Sequence, residues 1–98
     1  MTYRLLVRPQ AAAELAEAVD WHEQRSKGLG SEFLRSVDAA PAQIARNPLQ
    51  YQVVMGQARR APLRRFPYSL IYTVFEREVV ILACFHGSRD PRRLQGRI

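Results

Sequence analysis

The sequence is poor in the residues from which most catalytic and metal sites are built. Its 98 residues include one cysteine and two histidines. Because Cys84 stands alone, the chain has no intrachain disulfide, the usual support of a small secreted domain. It also lacks the motifs His-Glu-x-x-His and Cys-x-x-Cys and a glycine-rich phosphate loop. We therefore expect neither a bound metal nor another cofactor.

Long hydrophobic runs are missing as well. The longest is Val79–Phe85, far short of the roughly 20 residues that span a bilayer. The first residues lack the apolar region of a signal peptide. Together with the lone cysteine, these features predict a cytoplasmic protein that does not enter a membrane.

Acidic residues are scarce in the second half of the chain. Residues 46–98 carry ten basic and three acidic side chains, whereas residues 1–45 carry five basic and six acidic ones. Only Lys27 among the 15 basic residues is a lysine. Arginine suits bidentate binding of carboxylate or phosphate. The charge thus favours an acidic partner, either nucleic acid or an acidic protein segment.

Hydrophobic periodicity predicts a strand and two helices in the first half. The strand covers Tyr3–Val7, and the helices cover residues 9–27 and 31–46, joined by a turn at Gly28 and Gly30. We expect Ser31 to cap the second helix and Pro41 to kink or restart it. The predicted buried faces are Ala12, Leu15, Val19 and His22 in the first helix and Phe33, Val37, Ala40 and Ile44 in the second, with Glu14, Glu17, Asp20 and Glu23 on the opposite side of the first.

The second half changes to a period of two, which indicates strands. Tyr51–Met55 is either a short strand or an extended loop. Arg59–Arg65 is strand-like, and Pro62 argues for an edge position. Ser69–Phe75 and Val79–His86 form a hairpin around residues 76–78.

These elements predict an α+β fold with the order βααβββ, in which a helical hairpin packs on one face of a small antiparallel sheet. We expect a single domain over residues 1–98. It comprises the strand and helical hairpin (1–47), the sheet (48–86) and a basic C-terminal tail (87–98).

Both faces of the predicted hairpin are apolar. On the first strand, one face carries Tyr68, Leu70, Tyr72 and Val74, and the other carries Ser69, Ile71, Thr73 and Phe75. On the second strand, one face carries Val79, Ile81, Ala83 and Phe85, and the other carries Val80, Leu82, Cys84 and His86. Two helices cover only one face. The other face must be covered by the tail, by a second copy or by a partner.

The arginines that flank the hairpin are the main candidates for partner binding. If the strands are adjacent, both groups are expected along one sheet edge, with tyrosines nearby to stack on bases or pack against an apolar ligand. The predicted partner-binding residues are Arg59, Arg60, Arg64, Arg65, Tyr68, Tyr72, His86, Arg89, Arg92, Arg93 and Arg97.

The histidines and the cysteine have simpler interpretations. We expect Cys84 and His22 to be buried structural residues. His86 ends a strand near several arginines, which disfavour its protonated form. It is either a general base for phosphodiester cleavage or a hydrogen-bonded strand-end residue.

Several segments together resemble the RelE/ParE superfamily of bacterial toxins. They are AAAELAEAVDWHEQ, GLGSEFL, IARNP, RRFPYSLIY and VVILACFHGSRDP, and the last two are the more specific and resemble the ParE-like branch. The resemblance implies a type II toxin that an acidic ParD-like antitoxin neutralises within a hetero-oligomer.

The two branches of the superfamily imply different activities. RelE-like toxins cut mRNA on the ribosome, and ParE-like toxins inhibit DNA gyrase. The nuclease branch has an arginine where this chain has Ser69 and a tyrosine near the position of Leu94, whereas Arg89 matches its pattern. The resemblance thus favours gyrase inhibition. The alternative is an mRNA endoribonuclease in which Arg65 and Arg89 stabilise the phosphate and His86 is the base; a basic binding module without toxicity is a third hypothesis.

Overall fold

A computed structural model describes residues 3–87 and 91–97. Two helices pack against one face of a five-stranded sheet, as the α+β prediction requires. In chain order the elements are β1 (Arg4–Val7), α1 (Pro9–Arg25), α2 (Leu29–Arg46), β2 (Gln52–Met55), β3 (Ala58–Pro62), β4 (Tyr68–Phe75), β5 (Glu78–His86) and a 3-10 helix, η1 (Pro91–Leu94). Neither helix in the described part of the chain is long and apolar enough to cross a membrane.

The strand order in the sheet is β1-β5-β4-β3-β2. The segment Tyr51–Met55, which we predicted to be either a short strand or an extended loop, contains the strand β2. Four strands therefore follow the helices. All neighbours are antiparallel except β1, which runs parallel to β5 with Leu5 opposite Val79. A helical crossover between β1 and the rest of the sheet permits this parallel pairing. The sheet is therefore mixed, with an antiparallel majority.

Helix α1 begins at Pro9, where the missing N–H costs no helical hydrogen bond. Its buried residues are Ala11, Ala18 and His22, whereas Ala12, which we predicted to be buried, is exposed. The buried face is thus rotated towards Ala11. The predicted stripe of α2 is confirmed, because Phe33, Val37, Ala40 and Ile44 are all buried.

The start of α2 differs from the prediction that Ser31 caps it. The helix begins at Leu29, and its N-cap is Gly28 in a left-handed conformation with φ of 88°. The Glu23 carboxylate accepts the backbone N–H groups of Gly28 and Gly30 at 3.0–3.1 Å. A side chain of α1 therefore satisfies the first free donors of α2, so the serine is not needed as a cap.

Two prolines behave differently from expectation. The helix α2 is continuous across Pro41, so the predicted restart is not observed. Strand β3 lies inside the sheet, not at its edge. The pairing of β3 with β2 stops at the Arg60–Gln52 pair, because Gln52 is the first residue of β2. Pro62 lies beyond this pair and is tolerated, since no neighbouring strand needs the missing N–H on that side. The next N–H, that of Leu63, donates to the Tyr68 carbonyl of β4.

A bulge in β5 breaks the predicted alternation of its side chains. Ile71 is opposite Ala83 and Tyr72 is opposite Ile81, so Leu82 is an extra residue. As a result Leu82 and Ala83 lie on the same face of the sheet, and Cys84 joins Ile81 on the face that the helices cover. The predicted placement of Ala83 with Ile81 is wrong.

The second face of the sheet has an apolar cluster of its own. It consists of Ala58, Ile71, Leu82, Ala83, Phe85 and Leu94. Leu94 belongs to η1 and is completely buried. Of the three predicted ways to cover this face, the chain uses its own tail at this position. Towards the β4–β5 turn the same face stays open, and Phe75 is 66% exposed there.

Candidate functional site

A cavity of about 250 Å³ lies where η1 meets the second face of the sheet. It is lined by Gln52, Val54, Arg60, Ser69, Ile71, Phe85, His86, Gly87 and Leu94. We call it the Arg60 cavity.

The register of the strands brings these residues together. Gln52 is opposite Arg60, and Arg60 is opposite Ile71, so the three form a row across β2, β3 and β4. The neighbouring row pairs Ser69 with Phe85. Leu94 closes the cavity from above the sheet because η1 folds back onto Phe85 and its neighbours. The floor is thus made by four strands, β2 to β5, and the wall by the tail.

Among the described residues that line the Arg60 cavity, a single side chain is permanently charged. It is Arg60, and none of these residues carries a carboxylate. Within residues 3–87 and 91–97 the Arg60 guanidinium forms no hydrogen bond or ion pair. Gln52 and Ser69 add neutral polar groups. The cavity can therefore accept an anion with an apolar body.

His86 lies at the mouth of the Arg60 cavity. It is exposed, and its ring packs edge-on against that of Tyr68 with centroids 5.2 Å apart. Tyr68 is half-buried and contacts the rings of His22 and Phe33 as well. The His86 ring is therefore packed against an aromatic cluster beside the cavity.

The predicted arginines do not line one sheet edge. Arg59 and Arg60 are neighbours on an interior strand and point to opposite faces. The Arg59 guanidinium lies on the helix side and donates to the carbonyl oxygens of Leu49 and Tyr51 at 3.0 and 2.7 Å. These hydrogen bonds hold the loop before β2 in place, so the Arg59 guanidinium is used within the fold.

Four of the other predicted arginines lie in two exposed segments. Arg64 and Arg65 are exposed in the loop between β3 and β4, where Arg65 has a φ of 72°. Arg92 and Arg93 are exposed on η1. Arg89 lies outside the described residues.

Arg97 makes intramolecular contacts. It forms a two-bond ion pair with Glu14 of α1, at 2.9 and 3.0 Å, and both side chains are largely buried. It also donates to the Leu82 carbonyl and lies over the Phe85 ring. Glu14 in turn accepts the backbone N–H of Cys84. Glu14 was predicted to lie on the solvent side of the helix; no sequence signal links it to a residue 83 positions away.

Tyr72 cannot belong to a binding surface, because it is wholly buried. Its hydroxyl donates a hydrogen bond to the Pro48 carbonyl. Burial raises the pKa of Tyr72 to about 12, and the nearby Arg59 charge lowers it only in part. Tyr72 is a core residue that anchors the loop after α2.

The residues of the hypothetical nuclease site are not assembled by the described structure. His86 lines the Arg60 cavity, but Arg65 is not among its described lining residues, and Arg89 lies outside the described residues. The sequence interpretation missed Gln52 and Val54, since β2 was left undecided between strand and loop. In a strand, Gln52 and Val54 share one face and Val53 lies on the other, and this alternation would have placed the two residues together.

Cys84 and His22 occupy the places predicted for them. Cys84 is buried in β5. The His22 ring is stacked on Phe33 at 4.6 Å, and its Nδ1 donates to the Ala18 carbonyl. Across the described residues no three His, Cys, Asp or Glu side chains cluster so as to hold a metal ion.

Comparison with known proteins gives a family and a fold. The model of the family described as "ParE toxin of type II toxin-antitoxin system, parDE" matches residues 5–91. A chain of the chromosomal ParDE TA system from P. aeruginosa aligns with a TM-score of 0.63 and 20% identity, covering 87% of this chain and 96% of that one. The isolated RelE toxin of E. coli aligns with a TM-score of 0.64 and 17% identity, covering 97% and 95%. No match was found among the curated proteins.

At these identities the two solved structures show the shared fold alone, and they do not separate the ParE-like from the RelE-like branch. The family model that matches is that of the ParE toxins, and it extends from β1 to the first residue of η1. The chain therefore belongs to the ParE toxin family of type II toxin–antitoxin systems.

Proposed function

We propose that this protein is held inactive by a ParD-like antitoxin and, when released, inhibits DNA gyrase. The observation that carries the proposal is the family match over residues 5–91. Both the antitoxin and gyrase are cytoplasmic partners, which agrees with the location expected from the sequence.

An antitoxin with an acidic, amphipathic segment fits the surface of the chain. Residues 46–98 carry an excess of seven positive charges. Large apolar side chains are exposed as well, including Leu5, Leu6 and Val7 of the edge strand β1, which are 40–45% exposed. One amphipathic segment would cover apolar area and pair with arginines at the same time. This arrangement gives a hetero-oligomer of toxin and antitoxin.

Two side chains of the Arg60 cavity argue against RNA cleavage and so favour gyrase inhibition. At the position where the nuclease branch has an arginine, the chain has Ser69, whose side chain is buried on the cavity floor. Near the position of the nuclease tyrosine it has Leu94, which is completely buried in an apolar cluster. Phosphodiester cleavage needs positioned acids, bases and cations around the phosphate. Ser69 and Leu94 supply none of them.

A supercoiling assay tests the proposal directly. Purified toxin is added to DNA gyrase and relaxed plasmid, and we expect supercoiling to fall with increasing toxin and to recover when the product of the adjacent gene is added. Heat-denatured toxin is the control. Undiminished supercoiling at a large molar excess of folded toxin would refute gyrase inhibition.

Ribosome-dependent or free mRNA cleavage is the second candidate, because His86 lies at the mouth of the same cavity as Arg60. Primer extension on cellular mRNA after induction of the toxin distinguishes it. New 5′ ends that disappear in H86A would support cleavage. An unchanged transcript pattern in growth-arrested cells would exclude it.

A further inference from the structure

We propose that the Arg60 cavity is a receptor for a carboxylate on an apolar stem, presented by an acidic segment of a partner protein. That the partner is the antitoxin rests on the proposed function. The chemistry of the cavity itself does not, because it follows from the described side chains.

The first argument is the uncompensated charge of Arg60. Arg60 lines the cavity in a row with Gln52 and Ile71, and none of the described lining residues is acidic. Two other arginines have partners within the chain: Arg59 donates to two carbonyl oxygens, and Arg97 pairs with Glu14. Arg60 is exposed and no described side chain pairs with its charge, so an acidic group of a partner can reach it. A guanidinium binds a carboxylate through two parallel hydrogen bonds.

The second argument is the apolar wall opposite that charge. Val54, Ile71, Phe85 and Leu94 line the cavity, and the last three are buried members of one apolar cluster. An inorganic anion would leave these apolar side chains exposed to water. A carboxylate with an apolar stem would pair with Arg60 and remove the wall from water at once.

The third argument separates a carboxylate from a phosphodiester. Sites for phosphate gather several cations or a series of backbone N–H groups around the oxygens. Here the described lining residues contribute one guanidinium, the His86 imidazole and the neutral groups of Gln52 and Ser69. The volume of about 250 Å³ is also small for a nucleotide. It matches one acidic side chain with an apolar neighbour.

The test uses the full-length toxin labelled with nitrogen-15 and three small probes of similar shape. They are 3-phenylpropionate, its neutral amide and phenyl phosphate, titrated while the backbone amide signals are followed by NMR. We expect 3-phenylpropionate to shift the signals of Ile71 and Phe85 with a dissociation constant in the millimolar range, as for a fragment of this size. The amide and phenyl phosphate should bind at least about tenfold more weakly.

Substitutions then identify the cation. R60Q keeps the hydrogen-bonding head but removes the charge, and it should weaken 3-phenylpropionate by about tenfold or more. R77Q is the matched control, because Arg77 is exposed in the β4–β5 turn at the far end of the hairpin from His86. Its affinity should match that of the wild type. Dispersed spectra of both variants verify their folds.

Several results would overturn the proposal. They are equal binding of the acid and the amide, tighter binding of phenyl phosphate, or no effect of R60Q. The outcome is independent of gyrase. If the toxin binds the carboxylate but does not inhibit supercoiling, gyrase inhibition is refuted and the carboxylate site is retained. If it inhibits supercoiling but does not prefer the carboxylate, the site is refuted and gyrase inhibition is retained.

Discussion

The side chain of Tyr72 joins the sheet to the loop that follows α2. Its ring lies in the core, and its hydroxyl donates to the Pro48 carbonyl. Burial makes the neutral phenol the favoured form in the folded protein, so the pKa of Tyr72 is raised to about 12, whereas an unfolded tyrosine titrates near 10. The folded state therefore has its full stability from this group below pH 10 and loses it as the pH rises towards 12.

Y72F should show both roles of this hydroxyl. At pH 7 the loss of the hydrogen bond should lower the free energy of unfolding by about 1–2 kcal/mol. Between pH 9 and 11.5 the wild type should lose about 2 kcal/mol more than Y72F, since only the wild type has this phenol to ionise. Urea denaturation at a series of pH values measures both effects. Parallel pH profiles for the two proteins would contradict the assignment.

Gly30 is required by the close approach of the two helices. A Cβ at this position would lie 2.8 Å from the Val19 carbonyl oxygen and 3.0–3.1 Å from atoms of Glu23, whose carboxylate caps α2. G30A should therefore lower the free energy of unfolding by about 1–3 kcal/mol. S31A, one position further along an exposed part of the helix, should change it by less than about 0.5 kcal/mol. Chemical denaturation of both variants tests this; a larger loss in S31A would restore the serine as the cap.

Among the elements, the sequence predicted those with a regular period best. The stripe from Phe33 to Ile44 repeats every three or four residues and was located correctly. The bulge at Leu82 was not foreseeable, because it arises where β5 leaves its pairing with β1 and has no turn residue to mark it. The candidate site was predicted only in part. Arg60 and His86 were found as charged or polar residues at strand positions, whereas Gln52 and Val54 were missed because their short segment was not assigned as a strand.

A largely buried ion pair joins the tail to helix α1. The side chains of Arg97 and Glu14 are 18% and 15% exposed, and Arg97 also contacts Leu82 and Phe85. The Arg4–Glu78 pair, by contrast, has a distance of 3.6 Å and exposed fractions of 74% and 35%. Desolvation strengthens the attraction in the first pair, while water and salt screen the second.

A double-mutant cycle should reveal the difference between these pairs. We expect E14Q and R97Q to be coupled by about 1–2 kcal/mol in the free energy of unfolding, and R4Q and E78Q by less than about 0.5 kcal/mol. The exposed pair is the control. In R97Q, amide hydrogen exchange should also accelerate over β5 near Leu82, because the tail no longer covers that face. Equal coupling in the two pairs would mean that burial does not strengthen the Arg97–Glu14 pair.

At the scale of the whole molecule, positive charge and apolar surface are divided unequally. The helical half is nearly neutral, while the sheet and tail carry the excess of seven charges. Exposed arginines are found on the cavity floor, in the β3–β4 loop and on η1, so they reach a partner from three elements that share no single edge. Such a surface steers an acidic partner over a broad area, and the Arg60 cavity then fixes its register.

Inhibition of gyrase should depend on where the positive charges lie, not only on how many there are. Two variants, each lacking four positive charges, test this: R60Q/R64Q/R65Q/R93Q and the control K27Q/R35Q/R46Q/R77Q. The first removes charges near the cavity and loop, and it should raise the toxin concentration for half-inhibition of supercoiling by about tenfold or more. The control should raise it by less than about threefold, since its cations lie on the helices, the connection between them and the far turn. Equal losses in both variants, with circular dichroism showing both folded, would mean that the net charge alone brings toxin and gyrase together.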